Sequence, residues 1–276
     1  MIVTLTSIPP RFAHLGPTLE SVLSQNHAPD AIQLWIPRKY RRFPDWDGVL
    51  PKVPKGVKIC RSNRDFGPAT KVLPAVANLR GKNVDIVFCD DDQIYPAEWL
   101  AAFAKFRKVR PDDVLATLGF QASPVFGGTG KRAFKPRAMR RWRKTDIRYH
   151  AHGFLLRALS KIHGRDLGGP VRRVFLRSGY VDVFEGRGGV MLRPDHLPDE
   201  AFEIPPILWT VDDVWLSGMA KQAGNHIWLF ANQRDPSAAG AEQIDGLAEQ
   251  IIEGADRQMA NQKAIDYMKE NYGIWP

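Results

Sequence analysis

The chain has 276 residues, 44% of them apolar and 25% charged, with a formal net charge of +9. This is the composition of an ordinary globular protein with enough apolar residues for a sizeable core, arranged as one large domain or two small ones. Two cysteines, Cys60 and Cys89, exclude a disulfide framework, and no apolar run approaches the roughly 20 residues of a membrane span. The positive balance points to an anionic partner: nucleotide, nucleic acid, membrane surface or acidic glycan.

Ile2 to Thr6 reads as a first strand at the N-terminus, followed by the stiff turn Ser7-Ile8-Pro9-Pro10-Arg11. Met1 leads into it without a basic region or long apolar stretch, so no signal peptide is expected and the location expected is cytoplasmic, with peripheral contact to the inner membrane face as an addition. Leu15, Leu19, Val22 and Leu23 repeat at helical spacing, with Pro17 tolerable in the first turn. Ala31 to Ile36 and Val57 to Cys60 read as strands, separated by a loop rich in Pro, Trp and charge. The segment from Arg61 to Lys71 is a turn leading into a helix through about Leu79, which Pro74 should end, kink or restart.

Val84 to Asp92 is the stretch around which the chain is organised. A short run rich in Val, Ile and Phe, read as a buried strand, ends in Asp90-Asp91-Asp92. Carboxylates packed together repel, so a cation usually compensates them. In open α/β sheets ligands sit outside the carboxyl ends of the strands, and a divalent metal holding a phosphorylated ligand is the simplest reading. The plain alternative is an acidic turn capping a helix that starts near Pro96. Strands alternating with helical patterns indicate βαβ units and a mainly parallel sheet. Glu98 to Val109 then reads as an amphipathic helix, and Val114 to Phe120 as a strand.

The pattern breaks after Gln121. Gly127, Gly128 and Gly130 precede a basic run from Lys131 to Arg148 that holds nine cations against Asp146 alone, interleaved with Phe134 and Trp142 and followed by Tyr149. The run reads either as a solvated loop or as an acceptor- or membrane-recruiting segment, since its aromatics suit sugar stacking or an interfacial position. Glu185-Gly186-Arg187-Gly188-Gly189 is either a hairpin turn or a place where the backbone approaches a ligand closely. Ile207 to Leu216 carries a second acidic pair, Asp212-Asp213, with Thr210 as candidate cap of the helix it opens. One carboxylate suffices to support a helix start, which leaves the other for chemistry. His226 to Phe230 reads as a final strand, and Gln243 to Asn271 as a long C-terminal helix whose tail docks. No Walker-type loop, dinucleotide fingerprint or spaced histidine motif is present.

In this order, the N-terminal strand and turn, the Asn63 to Lys71 segment, the Asp90-Asp91-Asp92 triplet and the later Asp212-Asp213 pair resemble a GT-A glycosyltransferase of the family-2-like and exostosin-like branches. There DDD serves as the DXD motif and an acidic pair opens a later helix. The resemblance covers roughly residues 1 to 120 and 205 to 230. It implies a Rossmann-like α/β fold with a mainly parallel sheet flanked by helices, in which residues 1–120 bind a nucleotide sugar and 121–276 form the acceptor half. It further implies a nucleotide-sugar donor, UDP-linked, a glycan or lipid-linked acceptor, Mn²⁺ or Mg²⁺, and no nucleic-acid partner. Carried over by position, Asp92 and Asp90 would hold the metal, with Asp90 and Asp91 at the donor. Thr6 and Arg11 lie where such folds bind the base, and Asn63 and Lys71 where they contact the nucleotide or pyrophosphate. Asp213, with Asp212 as the alternative, would be the catalytic base of an inverting enzyme, whereas retaining members would use it differently. Arg187, Gly188, Gly189 and Trp142 fall on the acceptor side, and His196 and His226 are candidates for a late metal-binding histidine. Two other classes compete: a nucleotidyltransferase, against which the Pro-rich first turn counts, and a non-enzymatic anion- or nucleic-acid-binding protein, which leaves the acidic triplet unexplained.

Overall fold

The computed structural model describes residues 1–122, 134–165, 169–170, 172–241, 244–245 and 257–275. Eight strands form the central sheet: β1 (Ile2–Thr6), β2 (Ala31–Pro37), β3 (Val57–Ser62), β4 (Ile86–Phe88), β5 (Val114–Ala116), β6 (Gly179–Val181), β7 (Val190–Leu192) and β8 (Ile227–Leu229). Their order across the sheet is β6-β8-β5-β7-β4-β1-β2-β3. β1, β2, β3 and β4 pair in parallel, as do β5 and β8. β7 runs antiparallel between β4 and β5, and β6 antiparallel at the edge on β8. The fold is therefore α/β, with a mostly parallel sheet flanked by helices, and strands from both halves of the chain share it.

Alternation along the strands divides the core into two layers. Val87, Leu115, Met191, Val3 and Leu5 face one side, where α1 (Gly16–Leu23) and α3 (Trp99–Val109) pack through Leu19, Val22, Leu100 and Phe103. Ile86, Phe88, Val114, Val190 and Leu229 face the other, against α2 (Leu73–Leu79), α5 (Asp212–Gln222) and α6 (Arg257–Tyr272). Side chains such as Phe88, Phe103 and Trp215 are completely buried, each worth about 1.5–3 kcal/mol in lost water contact. α5 is buried along most of its length, and at Gly218 it lies close to α6: a Cβ there would stand 2.3 Å from Met268 Cε, which would have to shift. Cys60 and Cys89 are both free thiols. Burial raises the pKa of each, so neither is a poised nucleophile. Among the described residues no helix is long and apolar enough to cross a membrane.

Several elements differ from the sequence expectation. Pro74 restarts the helix: a 3₁₀ turn over Gly67–Lys71 ends at Val72 and α2 begins at Leu73. The expected strand Val114 to Phe120 divides, because Gly119–Phe120 leaves the sheet and pairs with Val183–Phe184. For the same reason the Glu185 to Gly189 stretch is no hairpin, since the strands on its two sides belong to different sheets. Thr210 does not cap α5; Val211 occupies that position and no side-chain cap forms. Ile244 and Asp245 lie in a bend, and α6 is described over Arg257–Tyr272. Gln243, Leu247, Ile251 and Ile252 of the expected helix, and Gly127, Gly128, Gly130, Lys131 and Arg132, lie outside the described residues. The docked tail holds: Ile274 and Trp275 are buried. A 17-residue helix, α4 (Ile147–His163), was not apparent in the sequence pattern. Its ends do carry signals: the Asp146 side chain accepts a hydrogen bond from the Tyr149 amide, and Gly164 closes the helix in the left-handed conformation.

Candidate active site

Because β1, β3 and β4 run the same way, the residues that follow them emerge along one edge of the sheet. There they line a cleft of ≈ 500 Å³ that contains both acidic motifs. The triplet is held from three sides. The Asp91 carbonyl accepts from Thr18 Oγ1 of α1 (2.8 Å), and the Tyr95 hydroxyl bonds the Asp90 amide (3.1 Å) and the Arg187 carbonyl (3.2 Å). Asp91 turns inward, accepting from Ser7 Oγ (2.5 Å) and Arg11 Nη1 (2.9 Å). Burial pushes its pKa up to about 6, Arg11 opposing the shift. Asp92 Oδ2 shares the same Arg11 Nη1 at 3.0 Å. Arg11 is fixed in turn by donating Nε to the Ile244 carbonyl (2.7 Å).

Lys71 joins the two motifs. Its Nζ lies 2.7 Å from Asp90 Oδ1, 3.0 Å from Asp212 Oδ2 and 3.7 Å from Asp213 Oδ1. Burial works against its charge, but Asp212, Asp90 and Asp213 outweigh it and hold its pKa well above the usual lysine value. Asp212 is almost fully buried beside Lys71, whereas Asp213 is partly exposed to the cleft. The Gly186 amide donates to both Asp213 oxygens, each at 3.1 Å. Only glycine allows this approach, since a Cβ on residue 186 would stand 2.4 Å from Lys71 Nζ. The turn is braced from below by Thr117 Oγ1 and Trp99 Nε1, which donate to the Gly188 carbonyl at 2.7 and 2.9 Å.

Of the residues singled out in the sequence, Thr6, Arg11, Lys71, Asp90, Asp91, Asp92, Arg187, Asp212 and Asp213 line the cleft. Thr6 donates its hydroxyl to the Trp35 carbonyl. Arg187 pairs with Asp235 at 3.1 Å. Gly188 and Gly189 are buried beneath the cleft wall against Thr117 and Trp99. Trp142 lies on the surface, outside the cleft lining. Asn63 is also outside it: the chain turns sharply where the Ser62 hydroxyl donates to the Arg64 carbonyl, and Asn63 is left exposed, accepting from Arg38. Asp65, two residues on, lines the cleft in its place, its carboxylate fixed by the Gly67 and Arg41 amides. Glu185, from the glycine-rich stretch singled out above, also lines it, as do Arg42, Trp209, Asp245 and Asn261, which were not anticipated as site residues. Nothing in their local pattern separates them from loop or helix-surface residues.

Neither candidate histidine lines the cleft. His226 precedes β8 and lies against Phe134, with ring centroids 3.9 Å apart and the rings tilted by 45°. His196 is buried near Asp85 at the start of β4, where its Nδ1 accepts from the Arg193 amide. Burial, with Arg107 and Arg193 nearby, lowers its pKa to about 4. The folded state therefore resists a proton that the unfolded chain accepts near 6.5, so its contribution to stability is present above that value and lost as pH falls towards 4. The His196 contribution is on the order of 3 kcal/mol. Buried Asp91, with its raised pKa, acts in the opposite direction between about 4 and 6. Urea unfolding of His196→Gln beside the wild type should isolate the histidine: the variant is expected to lose less stability between neutral and mildly acidic pH. Parallel profiles would mean that His196 is not buried neutral.

Among the described residues no three Asp, Glu, His or Cys side chains converge as a ready metal cage. Mg²⁺ and Mn²⁺ do not require one, since one or two carboxylates combined with phosphate oxygens and water commonly hold them. Asp90 and Asp92 supply hard oxygen donors of that kind at the cleft. The described lining carries eight carboxylates against four cations, a formal charge of −4. A diphosphate brought into such a cleft adds negative charge, and a divalent cation is the natural compensation. The residues present therefore fit a metal that arrives with a phosphorylated ligand.

An α/β sheet with an acidic, cation-bridged cleft at the ends of parallel strands is thus what this chain builds. No family model matches the sequence, and no curated protein matches it. Among solved structures it is similar to S. aureus TarS. With TarS residues 1-349 the identity is 12% over 98% of this chain and 72% of that one, at a TM-score of 0.46. With the longer TarS chain it is 14% over 88% of this chain, at a TM-score of 0.44, and the alignment spans 37% of TarS. The TarS 1-349 complex with UDP-GlcNAc gives 14% identity, 84% and 56% coverage, and a TM-score of 0.44. At these identities the likeness is one of general architecture.

Proposed function

We propose that this chain is a metal-dependent glycosyltransferase that moves a sugar from a nucleotide-sugar donor, UDP-linked, to a glycan or lipid-linked acceptor. The observation that carries the proposal is the convergence of two acidic motifs, about 120 residues apart, around Lys71 in one cleft. A base beside a compensated acidic cluster at parallel strand ends is what transfer away from a diphosphate needs. Residues 1–120 form the donor half and 121–276 the acceptor half. Asp90 and Asp92 would hold Mn²⁺ or Mg²⁺, whose charge would stabilise the departing nucleoside diphosphate. Lys71 fixes Asp90 and Asp212 and offers positive charge beside the phosphates. Asp213, oriented by the Gly186 amide, takes the proton from the acceptor hydroxyl as that oxygen bonds to the anomeric carbon and the bond to the diphosphate breaks. Arg187 lies on the acceptor side.

Thermal-shift and calorimetric titrations with UDP, GDP and UDP-GlcNAc, each with Mn²⁺ or with chelator, test this. Stabilisation is expected only when nucleotide and metal are both present, about 2.7 kcal/mol with ligand at roughly 100 times its dissociation constant. Asp92→Ala should abolish the metal-assisted part while the protein stays folded, because Asp92 is partly solvated and its partner Arg11 keeps Asp91. Equal binding with chelator present would remove the metal from the proposal, and no binding of any nucleotide would remove the donor.

A further inference from the structure

α4 carries its apolar stripe on the wrong side for a helix that packs on a core. Gly153 is its buried residue, lying against Pro170 where a Cβ would stand 3.2 Å from the ring, and Tyr149, Leu156 and Ser160 on the same side are half-buried. At 100° per residue, Ile147, Ala151, Phe154, Leu155, Ala158 and Ile162 share the opposite side. Ile147 is 81% exposed, Phe154 78% and Ile162 74%, so this stripe faces solvent. A row of exposed large apolar side chains on one helix face marks an interaction surface rather than ordinary surface scatter.

The charge around the stripe identifies the partner. Exposed Arg148 borders it on one side and exposed Arg157 and Lys161 on the other, and no Asp or Glu occurs from 147 through 163. Trp142, 72% exposed, lies just before the helix. We propose that α4 seats this stripe in an anionic lipid surface. Its apolar side chains enter the boundary between headgroups and acyl chains, and Arg148, Arg157 and Lys161 meet lipid phosphates. A second copy of the chain is the poorer occupant, because face-to-face helices would bring the same cations together. The proposal stands on this helix alone and does not depend on the glycosyl-transfer reading.

The test is co-sedimentation with phosphatidylcholine vesicles and with vesicles containing about 30% phosphatidylglycerol. The full chain is expected to favour the anionic vesicles by at least about tenfold, and salt should weaken the preference. Phe154→Ser with Ile162→Ser should lose about tenfold in partitioning. Arg148→Gln, Arg157→Gln and Lys161→Gln together should abolish the lipid-charge preference. All five side chains are exposed, so the Tm of each variant should match the wild type. A wild type that ignores anionic vesicles, or variants that bind like it, would overturn the proposal. So would a dimer, seen by light scattering, that Phe154→Ser with Ile162→Ser dissolves.

Discussion

Lys71→Met is expected to cost about 3–5 kcal/mol of stability, the usual penalty for removing one partner of a buried ion pair. Methionine fills much of the lysine volume, so the loss is electrostatic. Asp212 would remain almost fully buried with its cation gone, and Asp90 and Asp213 would lose a shared charge. The lysine pKa is raised in the folded state, so its contribution is fully present at neutral pH and is lost only as pH rises through that raised value. Urea unfolding at neutral pH measures the cost. Adding Asp212→Asn should restore a large part of it by removing the stranded carboxylate, which makes the pair a double-mutant cycle with strong coupling. A single variant within about 1 kcal/mol of wild type would mean that the cluster is solvated in solution and that Lys71 does not hold it together. Transfer should fail in both variants.

Asp213→Asn is expected to lower turnover by roughly 10²–10⁴ while donor affinity stays within a few-fold. The amide is nearly isosteric, and its oxygen can still accept from the Gly186 amide, so the turn over Glu185 to Gly189 should stay in place. Proton acceptance is lost, together with the most distant of the three charges around Lys71. Asp212→Asn should act differently, because that side chain is buried against Lys71 and has little access to an acceptor. Its effect should fall on stability before turnover. Steady-state kinetics and nucleotide titration on both variants separate the two outcomes. If Asp212→Asn impairs turnover with unchanged stability and Asp213→Asn does not, the roles are exchanged; if neither does, the pair serves only to start α5.

Local physics made much of the framework legible. The short, wholly buried apolar run Ile86-Val87-Phe88 and the apolar spacing of α1 and α3 are properties of a few consecutive residues, and they are enough to indicate an α/β sheet. The same holds for the acidic triplet, since an apolar strand ending in three carboxylates marks the strand end where the cleft opens. The sequence pattern failed where an element's partner surface was unusual. α4 carries an apolar stripe at helical spacing, but the stripe faces solvent instead of a core.

What only the tertiary structure decided is pairing across distance. Asp90-Asp91-Asp92 has no cation beside it in sequence, yet Arg11 lies 80 residues from Asp91 and Lys71 19 residues from Asp90, and both reach the carboxylates. Asp65 replaces Asn63 at the cleft because a hydroxyl-to-carbonyl hydrogen bond tightens the turn after β3. His196 is removed from it by burial beside Asp85 at the start of β4. A sequence specifies periodicity, caps and turn chemistry because these act between near neighbours along the chain. Which charge compensates which depends on where strand order and helix packing bring distant segments, and electrostatic energy depends on that separation and on burial.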